Sequence, residues 1–334
     1  IMGRRIVNIA LLGAGEMGRY HAETIGRHLR DARLAAVVDP VEAHAREAAC
    51  FGDNPLVANA ASGILRFDGI DAVVISSPTR SHAQLIVEAA RAGKHIFCEK
   101  PVALTLEDAV HAVEAAASNG VKLQIGFQRR FDEGYLHARE AIASGKLGAV
   151  ELLSSTTRDP APPAPGYLES CGGVFLDTAI HDYDSVRFLA GSEVTEVYAT
   201  ASTLVTKDRT GPFDIDTFVT VLRLTSGGLA SVTNSLRTAY GYEAGAEVSG
   251  SKGKMVIAPV AVGVRSYVAG GVALPYPKTY RERFGEAYRA ELAHFVRCIL
   301  EDETPAVTGH DGVRALEIAL AATRSQREGQ PVRI

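Results

Sequence analysis

The chain has 334 residues, a formal net charge of −4, 46% hydrophobic and 22% charged content. That length is too great for one ordinary core and predicts two domains. The mild negative balance has no long single-sign block, so neither nucleic acid nor a membrane surface is expected as a partner. No apolar run approaches the roughly 20 residues of a membrane span. Cys50, Cys98, Cys171 and Cys298 are scattered, without C-x-x-C or zinc-finger spacing, which reads as reduced thiols and predicts no metal centre. The first strand pattern starts almost at the beginning, leaving no room for a signal peptide, so a cytoplasmic location is expected.

Residues 1–125 alternate strand and helix patterns and predict a Rossmann-type, doubly wound parallel sheet, an α/β class. Strands are predicted at 5–12, 33–38, 71–76, 95–98 and 122–126, short and apolar on both faces as buried parallel strands are. Helices are predicted at 16–30, 41–52, 79–92 and 105–119, the last opened by a Thr105/Asp108 capping box. From 126 to 334 the pattern changes. A helix at 132–144, the proline-rich stretch 159–166 and a helix at 175–190 precede strand candidates at 194–206, 213–224, 228–237, 243–250 and 254–269. Tight turns between successive strands predict a large, mostly antiparallel open sheet, so the second domain (126–334) reads as α+β. Helices at about 280–301 and 310–325 close the chain.

The first strand runs into Gly13-x-Gly15-x-x-Gly18. A glycine loop between strand and helix, with Asp39 ending the next strand about 20 residues on, is the dinucleotide fingerprint. Gly13 permits the tight turn, Gly15 lets the pyrophosphate approach, Gly18 lets helix and strand pack, and Glu16 and Met17 open the helix beside them. A carboxylate at Asp39 suits the ribose hydroxyls of NAD and repels the 2′-phosphate of NADP; the competing reading is that Asp39 only caps the following helix. Ser77, Pro78 and His82 follow the strand 71–76 on the ligand-binding edge and are expected near the cofactor. Glu99 and Lys100, at the end of 95–98, are expected there too, although Glu99 alone could simply bond locally.

Asp177 and His181 stand four residues apart and would share one face of the helix 175–190. Histidine suits removal of a hydroxyl proton near neutral pH. A carboxylate beside it favours the imidazolium, and Lys100 supplies fixed charge to a developing alkoxide. Taken alone, such a D-x-x-x-H pair is more often a surface or capping pair, and Asp182 and Asp184 read as solvated or capping residues. With a dinucleotide site, Lys100, Asp177 and His181 together predict a metal-free alcohol dehydrogenase. The competing class is a non-enzymatic dinucleotide-binding sensor on the same scaffold.

These residues, with Gly126-Phe127-Gln128-Arg129-Arg130-Phe131-Asp132 and Gly172-Gly173, resemble the glucose–fructose oxidoreductase / inositol dehydrogenase family over essentially the whole chain. Within it, residues 127–132, 158–163 and 172–184 look most like myo-inositol 2-dehydrogenases. The resemblance implies an NAD-dependent oxidation of a cyclic polyol to a ketone, myo-inositol to 2-keto-myo-inositol, with a related sugar or scyllo-inositol dehydrogenase as the alternative. It implies a catalytic triad of Lys100, Asp177 and His181 with His181 as base, and substrate contacts from Arg129, Asp159 and Thr178. Tyr240 or Tyr242 would close the pocket. It also implies a homotetramer built on the open sheet. Thr157 departs from the histidine some inositol enzymes carry, and Gln128 stands at a variable position; both leave the identity of the polyol open.

Overall fold

The computed structural model describes residues 5–208, 211, 213–258, 266–268, 271–273 and 276–334. They fall into two units, 1–127 with 288–316, and 128–287 with 317–334. The sequence pattern divided the chain once, near 125; the structure adds the return of 288–316 to the first unit.

In the first unit, β1 (Val7–Leu12), β2 (Ala32–Val38), β3 (Leu56–Ala58), β4 (Ala72–Ile75), β5 (His95–Glu99) and β6 (Leu123–Gly126) form one sheet in the order 3-2-1-4-5-6. All its pairings are parallel. The order reverses direction between β1 and β4, which opens a crevice at the carboxyl ends of those strands. Val7, Ile9, Leu11, Val37, Val74 and Phe97 form one fully buried cluster with Leu292, Phe295 and Val296 of the helix Tyr280–Leu300. Thr105 caps the helix Leu106–Ser118 by accepting the Asp108 N–H, as the box predicts. The predicted helix 16–30 is α-helical only over Glu16–Glu23 and continues as a π-turn over Thr24–His28. Strand β3 and the short helix Ala61–Leu65 carried no pattern that marked them.

The second unit holds a seven-stranded sheet of β7 (Val150–Arg158), β8 (Val194–Ser202), β9 (Thr217–Leu224), β10 (Leu229–Ser235), β11 (Glu243–Gly250), β12 (Gly253–Ile257) and, at the end of the chain, β15 (Val332–Arg333). Their order is 12-11-7-10-9-8-15. Only β7 with β10 is parallel; the others pair antiparallel. A small hairpin, β13 (Ser266–Val268) with β14 (Gly271–Ala273), stands apart from this sheet. The strand expected over 254–269 therefore ends at Ile257, and part of its remainder lies outside the described residues.

Strand β7 was not anticipated, although it lies inside the sheet. Its inward positions are Leu153, Ser155 and Thr157, two of them hydroxyls, so the apolar alternation that announces a strand is missing. The opposite face of the sheet is open: Leu152, Tyr198, Val219, Val221, Leu229 and Val256 are all exposed.

Candidate active site

The glycine loop is shaped by what a side chain would strike. Gly13 has φ +97°, and a Cβ there would meet the Ser77 backbone nitrogen at 2.5 Å. A Cβ on Gly18 would sit 2.0 Å from the Gly13 carbonyl oxygen, so only glycine lets the helix Glu16–Glu23 start this close to the loop. Around Gly15 no atom beyond the residue and its chain neighbours lies within 4 Å of the Cβ position. That bare backbone at a helix N-terminus is the cradle a pyrophosphate needs, and the residues present fit NAD. Glu16 is exposed and Met17 half-buried on the first turn.

Asp39 is held by backbone at the end of β2. Its carboxylate accepts the Ala14 N–H at 2.8 Å and the Val41 N–H at 2.8 Å, so it braces the glycine loop and the entry to the helix Glu42–Ala49. Each oxygen keeps a second lone pair that can accept a ribose hydroxyl. Ser76 donates its hydroxyl to the Gly13 carbonyl at 2.8 Å, which ties the end of β4 to the same loop. Ser77 is half-buried and Pro78 exposed beside it.

His82 has backbone partners on both ring nitrogens. Its two ring nitrogens lie 2.8 Å from the Pro101 and Ser77 carbonyl oxygens, and the residue is 2% exposed. The ring is therefore committed to holding backbone, and burial pulls its pKa below the ordinary value against the raising effect of those carbonyls. Glu99 is likewise turned inward: its Oε1 lies 2.7 Å from Nε2 of the buried His21. Burial pushes the Glu99 carboxyl up, but the His21 bond and the charges of His21, Lys100 and His82 outweigh it and hold it below its usual range. Lys100 follows at the carboxyl end of β5, half-buried, joined to Pro101 by a cis peptide bond.

In the second unit the predicted helix 175–190 is two helices, Val174–Asp177 and Ile180–Ala190. Thr178 and Ala179 keep right-handed helical backbone, but both their N–H groups point at the Val174 carbonyl, at 2.9 and 3.0 Å. The second of these is an i→i−5 bond, a π-type widening that interrupts the helical ladder between Asp177 and His181. Asp177 and His181 are half-buried and Thr178 is buried. Tyr167, which no sequence pattern singled out, donates its hydroxyl to Asp177 at 3.4 Å. The neighbouring carboxylate, with burial, pushes the phenol's pKa up.

Asp182 and Asp184 are not solvated, being 0% and 1% exposed. Asp182 accepts from Arg129 Nη1 at 2.8 Å, Ser155 Oγ at 2.6 Å, Thr157 Oγ1 at 2.8 Å and Asn234 Nδ2 at 2.9 Å. Asp184 takes a two-pronged bond from Arg130 at 2.9 and 2.6 Å. A buried carboxylate is tolerable only when paired in this way. Arg129, expected at the substrate, is 1% exposed. Besides Asp182 it donates to Thr157 at 2.6 Å, and it lies over the Phe284 ring at 5.7 Å. It is a strut of the second unit.

Tyr242 is buried, its pKa raised by that burial, and Arg129 and Asp159 are among the charged groups that act on it. Tyr240 is exposed, donates its hydroxyl to Glu243 and packs edge-on to Tyr276. Of the two tyrosines expected to close a pocket, Tyr242 belongs to the interior near Asp159 and Tyr240 to the surface. Among the described residues, no group of three His, Cys, Asp or Glu is arranged to hold a metal ion, and no helix is long and apolar enough to cross a membrane.

Comparison with known proteins identifies two family domains. Residues 7–127 match an oxidoreductase family's NAD-binding Rossmann fold, and residues 139–334 match an oxidoreductase family's C-terminal alpha/beta domain. The myo-inositol 2-dehydrogenase of Thermotoga maritima is 37% identical over 98% of this chain and 98% of its own. The NAD(+)-dependent scyllo-inositol 2-dehydrogenase of Bacillus subtilis is 36% identical over 98% of this chain and 96% of its own. The crystal structure of scyllo-inositol dehydrogenase from Lactobacillus casei with bound NAD(H) and scyllo-inositol superposes with a TM-score of 0.91 at 30% identity, covering 98% of this chain and 99% of that one.

Proposed function

Because the chain belongs to this oxidoreductase family, with its NAD-binding Rossmann fold and C-terminal α/β domain, we propose that it oxidises a secondary alcohol of a cyclic polyol to a ketone, with myo-inositol giving 2-keto-myo-inositol. The observation that carries the reading is Lys100, a cation at the carboxyl end of β5, on the same edge of the parallel sheet as the glycine loop. NAD, bound on that loop, supplies the two-electron acceptor. His181 takes the proton of the reacting hydroxyl, and Lys100 stabilises the oxygen as negative charge develops on it. Asp177 holds a neighbouring hydroxyl and favours the imidazolium that forms. Asp159, Thr178 and Tyr242 supply further hydroxyl partners, and Tyr240 lies at the rim.

Lys100→Met is expected to lower kcat by at least ~10²-fold while NAD still binds in a calorimetric titration. Unchanged turnover would remove Lys100 from the reaction. Initial rates on a panel of inositol stereoisomers and sugars, followed by NADH absorbance, test the substrate. Preference for scyllo-inositol, the substrate in the name of the Bacillus subtilis relative, would move the assignment to that isomer. NAD binding with no turnover of any polyol would favour a sensor.

The open sheet face of the second unit supports a homotetramer, since six large apolar side chains on one sheet are exposed and contiguous apolar surface of this kind marks association sites. Light scattering on the purified protein tests it, and a monomer would refute it. Four free cysteines support a cytoplasmic location, which fractionation of the source cells would check.

A further inference from the structure

We propose that Lys100 is aimed and kept charged by a buried frame that grips the residue on each side of it, His21 holding Glu99 and His82 holding Pro101. The proposal rests on the reading of Lys100 as the catalytic cation and goes beyond it by assigning positioning residues. Sequence alone placed His82 near the cofactor.

The first grip comes from the helix after the glycine loop. His21 is 0% exposed and walled by Phe97, Tyr288 and Tyr20, at ring-centre distances of 5.5, 6.4 and 6.4 Å. Its 2.7 Å bond to Glu99 therefore has no water to compete with it. The second grip comes from the helix His82–Arg91. The His82 ring spans the Ser77 and Pro101 carbonyls at 2.8 Å each, so the residue after Lys100 is fastened to the turn that also bears on the glycine loop. A neutral imidazole donates from only one nitrogen, and the tautomer with its proton on Nδ1 is the one that fastens Pro101.

The frame also has a charge pattern. The groups that act on Glu99 are His21, Lys100 of its own strand and His82. Glu99 in turn acts on Glu291, from the helix Tyr280–Leu300. Glu291 is 0% exposed and neither of its carboxyl oxygens has a hydrogen-bond partner. A buried carboxyl in that condition stays protonated, and burial together with the Glu99 charge pushes its pKa well up. Glu99 is thus the anion of the group. It stands beside Lys100 in a protein interior, where solvent screens the attraction weakly, and it favours the ammonium form that the alkoxide requires.

A scaffold role alone would be met by a neutral isostere at Glu99; a charge role would not. Glu99→Gln keeps a partner for His21, and the alkaline limb of its kcat/KM–pH profile is expected to move down by about one unit. Glu99→Asp, which retains the charge, is expected to bring the limb back. His82→Phe removes the ring's hydrogen bond to the Pro101 carbonyl and is expected to lower kcat about tenfold with the limb in place, as a misaimed cation would. A folded Glu99→Gln enzyme with the wild-type limb overturns the charge role, and wild-type kcat in His82→Phe overturns the aiming role even if Glu99→Gln does not fold. Lys100→Met is run alongside. Its retaining full turnover would defeat the reading of Lys100 itself, whereas its inactivity together with an unmoved Glu99→Gln limb defeats only the frame.

Discussion

Asp182 in the second unit and Glu291 in the first are both fully buried carboxyls, yet they are treated in opposite ways. Asp182 receives hydrogen bonds from Arg129, Ser155, Thr157 and Asn234. The parallel register of β7 and β10, which sets Asn234 opposite Thr157, brings the last two to the same oxygen. Glu291 receives none at its carboxyl, although its backbone carbonyl accepts from Gln124 at 2.8 Å. One carboxyl is an ion that fastens strands and helix together. The other is an acid that keeps its proton. Depth of burial does not decide which; the number of donors within reach does.

Removing the pairing partner gives the largest expected effect. Arg129→Ala leaves the Asp182 charge buried without its cation and is expected to cost about 3–5 kcal/mol in urea unfolding. A cost below about 1 kcal/mol would show that the hydroxyls and the amide suffice to hold Asp182. Glu291→Met should behave differently, because it replaces an unsatisfied polar group with an apolar one of similar length; near pH 7 the same measurement is expected to change by no more than about 1 kcal/mol, in either direction. The last effect is a slope. The raised pKa of Glu291 means that the folded state holds a proton the unfolded chain releases above 4.5. Wild-type stability therefore falls as pH rises above that value, and Glu291→Met lacks this contribution. The difference between variant and wild type should grow in the variant's favour from about pH 5 to about pH 8. A constant difference would mean that Glu291 is already ionised and paired.

The same contrast explains what the sequence made legible. Glycines at Gly13, Gly15 and Gly18 and the buried strands of the first sheet announce themselves because backbone sterics and apolar runs leave local marks. Strand β7 did not, since two of its three inner positions are hydroxyls whose partner, Asp182, lies 27 residues from Ser155. Asp182 was misread for the same reason: a carboxylate in a helical stretch looks solvated until strands from elsewhere surround it. The i→i−5 bond at Ala179, which lies in the chain between Asp177 and His181, leaves no mark in composition. Tyr167 emerged only when the turn after the proline-rich stretch showed its hydroxyl directed at Asp177. The return of 288–316 to the first unit was hidden because an amphipathic helix does not name the core it covers.

That return has a consequence for biosynthesis. Leu292, Phe295, Val296 and Ile299 complete the cluster begun by Val7, Ile9 and Leu11, but a ribosome delivers them only after residues 128–287 have been made. The nascent Rossmann sheet must wait with part of its oily surface bare, a condition that invites chaperone capture or self-association. A message truncated before Leu292 would yield a polypeptide with an intact glycine fingerprint and no finished interior to support it.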